Sequence, residues 1–125
     1  MTRILIVEDD DEVSQLLRTV CEAEGWEASV APDGLEGLIR LGTGEIDLVL
    51  LDLMMPDVSG LRVLQQLFEE GGGSLEVPVI VVTGSAIGAE EARSALDAAD
   101  VFEKPFEVTE LIARMKVLLD GEGEQ

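Results

Sequence analysis

The chain has 125 residues, the length of one ordinary domain. It carries 27 acids against 8 bases, a formal charge of −19, and no histidine, which excludes a nucleic-acid or anionic-membrane surface and every imidazole-based triad or metal site. Its 46% hydrophobic content still leaves enough apolar surface to bury a core, so the acidity does not imply disorder.

The first strand is predicted over Ile4–Val7. It is a continuous apolar run rather than an alternating one, as expected of a strand covered on both faces. Val13, Leu16, Leu17, Val20 and Cys21 then follow helical spacing, with Asp10 or Asp11 as cap and Gly25 as closing residue. A weaker strand spans Trp26–Val30, and Asp33 caps a helix running to about Leu41. Leu48–Leu51 is the third strand. Leu61, Leu64, Leu67 and Phe68 give a third helix, stopped by Gly71–Gly73, with Gly71–Ser74 read as a flexible loop. Val79–Val82 is the fourth strand. The fourth helix has the stripe Ala92, Ala95, Leu96 and Ala99, and so small a stripe anchors it loosely. A fifth strand lies around Asp100–Glu103. The last helix carries Val108, Leu111, Ile112, Met115, Leu118 and Leu119.

Five βα units in this order predict an α/β fold of three layers: a doubly wound, flavodoxin-like (βα)5 with a five-stranded parallel sheet of order 2-1-3-4-5. Residues 1–120 form the domain and 121–125 a frayed tail. The apolar runs are far short of the roughly 20 residues of a membrane helix. The opening MTRILIVEDD lacks the order of a secretory leader, and the lone Cys21 cannot form an internal disulfide. A cytoplasmic setting is the expectation. Cys21 is read as a buried inert thiol, and Trp26 as a packing residue.

Ligands of such folds bind beyond the carboxyl ends of the strands. The first strand ends in Glu8 and Asp9, the third in Asp52, the fourth in Thr83 and the fifth in Lys104. Each has an ordinary explanation alone: a helix N-terminus that favours acids, a turn cap, a structural hydroxyl, a loop Lys-Pro pair. Together they place three carboxylates, a hydroxyl and an ammonium at neighbouring strand ends. Clustered carboxylates repel unless a cation joins them, and an oxygen-only donor set suits Mg2+, with Mn2+ as substitute. A carbonyl just past Asp52 completes such a shell. The set meets the needs of phosphoryl transfer to a carboxylate.

The stretches ILIVEDD (4–10), DLVLLDLMMPDVSG (47–60), VPVIVVTGSA (77–86) and FEKPF (102–106) resemble the receiver domain of two-component response regulators, over essentially the whole chain. The resemblance implies that Asp52 is the phosphoacceptor. It implies that Glu8 and Asp9 form the acidic metal pair, with Asp9 the direct ligand and Glu8 acting through water, and that the Met54 carbonyl is the backbone ligand. Thr83 resembles the switch hydroxyl and Lys104 the lysine that pairs with phosphoryl oxygens. Met54 and Ser85 occupy the positions that tune dephosphorylation. Lys104–Pro105 is expected to be cis, and Gly60 to occupy a turn of positive φ.

The partner so implied is a sensor histidine kinase or histidine phosphotransfer protein, with signalling through the face made by the fourth helix, fifth strand and fifth helix. A phosphorylation-dependent homodimer through that same face is left open. The domain is a phosphorylated switch rather than a turnover enzyme. One position departs from the family: the usual aromatic three residues before the lysine is Val101, and the adjacent Phe102 points to the other sheet face. That keeps open a degenerate receiver that only binds proteins. An Asp-nucleophile phosphohydrolase would carry a second Asp where Met54 stands, and no nucleotide-binding glycine motif follows a strand.

Overall fold

A computed structural model describes residues 1–55, 60–73 and 76–120. The expected tail at 121–125, the end of the Gly71–Ser74 loop and the packing of Leu61 lie outside what it describes. The elements are β1 (Arg3–Val7), α1 (Asp11–Ala23), β2 (Glu27–Ala31), α2 (Gly34–Thr43), β3 (Leu48–Leu51), α3 (Gly60–Glu70), β4 (Val79–Thr83), α4 (Ala86–Ala95), β5 (Asp100–Glu103) and α5 (Val108–Asp120). All strand pairs are parallel, in the order β2-β1-β3-β4-β5. The fold is the flavodoxin-like one expected.

The central strands are apolar throughout because each face feeds its own core. Leu5, Val7, Val49, Leu51, Val79 and Val81 pack with Leu64, Ala89 and Ala92 beneath α3 and α4. Their alternates Ile4, Ile6, Leu48, Leu50, Ile80 and Val82 pack with Leu17, Cys21, Leu111 and Met115 beneath α1 and α5. Period-two alternation thus splits one continuous run between two cores.

Caps behave as the sequence indicates. Asp10 caps α1, its side chain accepting from the amides of Glu12 and Val13, and Gly25 follows the helix at φ 86°. Asp33 caps α2 by accepting from the Glu36 amide at 2.8 Å. Asp33→Ala is expected to cost about 1 kcal/mol, seen as a lower urea midpoint with an unchanged m-value.

Three expectations need correction. Leu16 does not join the buried stripe of α1: it is 46% exposed, while Leu17 and Cys21 carry the contact. The buried face of α4 is Gly88, Ala89 and Ala92, with Leu96 as C-cap; Ala95 is exposed and Ala99 lies in the approach to β5. That helix ends early because Asp97 adopts φ 63°, outside the helical region. Gly60 is not a positive-φ residue. It begins α3, and glycine is needed there because an added Cβ would lie 1.8 Å from the Asp52 carbonyl oxygen.

Candidate functional site at the carboxyl edge of the sheet

Register brings the strand ends together. Val7 pairs with Leu51, so Glu8 and Asp52 leave the sheet side by side. The Asp52 amide donates to the Val7 carbonyl at 3.0 Å, and the Glu8 amide to that of Ala31 at 3.0 Å. Thr83 pairs with Glu103, and the Lys104 amide donates to the Thr83 carbonyl at 2.8 Å. Each side chain therefore starts from backbone held by a neighbouring strand.

Glu8 is 3% exposed and Asp52 4%, whereas Asp9 is exposed. One carboxylate oxygen from each of the three lies within 4.8 Å of the others. Lys104 Nζ stands 3.1 Å from Glu8 Oε1 and 3.5 Å from Asp52 Oδ2, bridging the two buried carboxyls. The Asp10 amide donates to Glu8 Oε2 at 3.2 Å and the Met54 amide to Asp52 Oδ1 at 3.0 Å. The Lys104–Pro105 bond is cis, as expected.

Electrostatics follow from this crowding. Burial, then the hydrogen bond and charge of Asp52, push the Glu8 carboxyl up to about 7; the Asp10 amide and Lys104 pull the other way. Burial acts to lower the Lys104 pKa, but the bond to Glu8 and the charges of Asp52 and Glu8 outweigh it, so its ammonium is held above the ordinary range. The pocket has more negative charge than one lysine neutralises. Such a donor set, all oxygen and partly buried, fits a hard divalent cation of the Mg2+ type.

Thr83 is fully buried, and its Oγ1 accepts from the Ser85 amide at 3.0 Å. Ser85 in turn caps α4, its hydroxyl accepting from the Gly88 amide at 3.0 Å. Sequence reasoning missed this relay, although a Ser just before an Ala-rich helix is an N-cap signal. It missed Leu53 too: buried behind Asp52, its Cδ1 would be 3.0 Å from a Cβ placed on Gly88. Val101 packs into the core beneath α4, and Phe102 packs on the opposite face. Cys21 is buried, its thiol pushed up to about 12 by burial and by Glu22 and Glu24, and it takes no part in the site.

The family model for the response regulator receiver domain matches residues 4–116. The chain belongs to this family. It is 38% identical over 116 residues to the transcriptional regulatory protein DltR of Streptococcus agalactiae, covering 92% of this chain and 50% of that protein. It is 38% identical over 130 residues to the response regulator MprA of Mycolicibacterium vanbaalenii, covering 98% of this chain and 54% of that protein. The chain thus spans about half the length of these curated relatives. Among solved structures, the Francisella response regulator 1452 receiver domain superposes with a TM-score of 0.87 at 29% identity, over 98% of this chain and 99% of that one. The response regulator TrrA of Thermotoga maritima, solved in complex with Mg(2+)-BeF, gives 0.84 at 32% identity, over 95% and 100%. This receiver domain therefore has the fold and the acidic pocket of its family. Among the described residues, no helix is long and apolar enough to cross a membrane.

Proposed function

We propose that this receiver domain, spanning residues 1–120, is a phosphorylated switch in which Asp52 accepts a phosphoryl group from a phosphohistidine on a sensor kinase or phosphotransfer protein. The observation that carries this reading is the Lys104 ammonium held between Glu8 and Asp52 in a partly buried, oxygen-lined pocket. A carboxylate oxygen of Asp52 attacks phosphorus. The P–N bond breaks, its electron pair stays on the imidazole, and the imidazole takes up a proton. The product is an acyl phosphate. Asp9, Asp52 and the Met54 carbonyl would hold Mg2+, with Glu8 acting through water. Bound there, the ion supplies positive charge against the charge on the transferring phosphoryl oxygens. Mn2+ shares this chemistry.

The chain's own residues do the rest. The Met54 amide fixes Asp52 Oδ1, leaving Oδ2 toward Lys104. Lys104 meets the phosphoryl oxygens that arrive on Asp52. Thr83 turns toward the same oxygens and releases the Ser85 amide, which loosens the cap of α4 and shifts the α4–β5–α5 face. Moving a population from 1:99 to 99:1 takes about 5.5 kcal/mol. One charge-assisted bond supplies about 1.5–3 kcal/mol, so Thr83 and Lys104 must both contribute. Val101 alters the packing beneath α4 but removes no oxygen donor, which favours a working switch over a binding-only module. Signalling is cytoplasmic in this reading, the domain itself does not touch nucleic acid, and it dimerises only when phosphorylated.

The test is incubation with phosphoramidate and Mg2+, followed by intact mass. Wild type is expected to gain one phosphoryl group and Asp52→Ala none. Equal labelling of the two places the phosphoacceptor elsewhere.

A further inference from the structure

Among the described residues, the concave surfaces away from Glu8 and Asp52 differ in build. One runs along a single helix, α4, from Ala86 to Ser94, and has no opposing wall. Another, at the start of β1 and β2, is lined by Arg3 and Arg40 together with Glu27 and Glu45, so its charges balance. A third, of about 320 Å3, lies between the second halves of α2 and α3, over the amino ends of β3 and β4. Its lining contains no base.

This third groove is apolar inside and acidic at its mouth. Leu38, Leu41, Leu67 and Val77 are half-buried walls, and Val49 and Val79 form the floor. Gln66, Glu70 and Glu76 are exposed at the rim. Gln66 Nε2 donates to Glu70 Oε2 at 3.1 Å, which holds that carboxylate in place and leaves the Gln66 oxygen as an acceptor. Glu70 and Glu76 form no ion pair among the described residues. Both helices also end here, where the macrodipole is negative. α3 has no base in its last turn. The base of α2, Arg40, is turned to β2 instead: it donates to the Val30 carbonyl at 2.6 Å and pairs with Glu36.

We propose that the groove between α2 and α3 is a binding site for a small amphipathic cation, a primary ammonium carried on a compact apolar body. The body covers Leu38, Leu41, Leu67 and Val77, and the ammonium meets Glu70, Glu76 and the two helix ends. The rim offers two carboxylates and an amide oxygen, a set that an ammonium satisfies and an anion does not. Acids are exposed over much of this chain, so charge alone does not choose the place. The apolar walls do, and the ligand must carry both features. A protein partner needs roughly 800 Å2 of surface on each side, far more than a groove of this size presents, so the occupant is a free small molecule. The site lies at the opposite edge of the sheet from Asp52 and does not depend on the reading of Asp52 as phosphoacceptor.

The probes are cyclohexylmethylamine, the matching alcohol cyclohexylmethanol, and ethylamine, which has the charge without the body. Each is titrated at low salt into the wild-type domain and into E70Q/E76Q, and backbone amides are followed by proton–nitrogen correlation NMR. Both glutamates are exposed, so the double variant keeps its core. Cyclohexylmethylamine is expected to shift the amides of Gly42, Gly71 and Val77 saturably and to leave those of Asp52 and Thr83 in place. It should bind wild type at least about fivefold more tightly than the alcohol does, a preference that shrinks severalfold in E70Q/E76Q and at high salt. Ethylamine should give no saturable shift at these amides. Equal affinity of the amine and the alcohol for wild type overturns the proposal, and so does a preference unchanged in E70Q/E76Q, since the charge would then be met elsewhere. Ethylamine binding as well as cyclohexylmethylamine reduces the site to an acidic surface and overturns it too. Shifts centred on Asp52 and Thr83, or none at Gly42 and Gly71, have the same consequence.

Discussion

Gly60→Ala is expected to be the most damaging single-methyl addition at the site, costing about 3 kcal/mol or more of stability and most of the phosphoryl acceptance proposed for Asp52. Its Cβ would lie 1.8 Å from the Asp52 oxygen and 2.7 Å from both the Asp52 carbonyl carbon and the Leu53 Cα. These are backbone atoms at the end of a central strand, so no rotamer change relieves the overlap. The Gly60 amide also donates to the Leu53 carbonyl at 3.1 Å, which holds α3 onto this peptide. The strand end must move, and the carboxyl of Asp52 moves with it. Gly42→Ala is the matched control. Gly42 lies in α2 with nothing within 4 Å of the added methyl, so it should gain about 0.5–1 kcal/mol from helix propensity. Urea titrations of the two variants should move in opposite directions. Similar midpoints for both would show that β3 and α3 separate easily and that Gly60 does not brace Asp52.

The contrast between these glycines shows where sequence stops being informative. Strand and helix identities were legible because burial on two faces writes continuous apolar runs and burial on one writes a helical stripe. The grouping of the candidate residues was legible because parallel strands deliver their last residues to one edge, so Glu8, Asp9, Asp52, Thr83 and Lys104 needed only the strand order to come to that edge together. Gly60 was picked out, but for the wrong reason: a glycine demanded by φ and one demanded by close approach look the same in a sequence. Leu16 was misplaced because a stripe two residues wide on each turn does not say which of two adjacent leucines faces the sheet. The α4 stripe was misread at Ala95 and Ala99 because alanine is compatible with either environment, and because Asp97 ends the helix without a glycine to announce it. The Thr83–Ser85–Gly88 relay depends on hydroxyl direction, which spacing does not encode.

Glu8→Gln is expected to separate stability from metal affinity. The Glu8 carboxyl has a folded pKa of about 7 against an ordinary 4.5. The folded state therefore holds a proton that the unfolded state has already released between those values. The stabilisation from this group is fully present below pH 4.5 and is lost as pH rises through 7. Above that pH the metal-free domain keeps an ionised Glu8 carboxylate buried beside Asp52, at a cost on the order of 2 kcal/mol. Gln is close in shape and carries no charge, so at pH 8 metal-free Glu8→Gln should be more stable than wild type, and at pH 5 nearly equal to it. Mg2+ reverses the comparison. Loss of a carboxylate from the acidic pocket proposed to hold Mg2+ should weaken binding of that ion about 10- to 100-fold. Wild-type affinity should itself fall as pH drops below 7, because the ion must displace the Glu8 proton. Urea midpoints at pH 5 and pH 8, each with and without Mg2+, read all four corners. A wild type whose metal-free stability does not fall between pH 6 and pH 8 relative to Glu8→Gln would show that Glu8 is already ionised at neutrality. The pocket's negative charge would then be balanced by Lys104 without a metal.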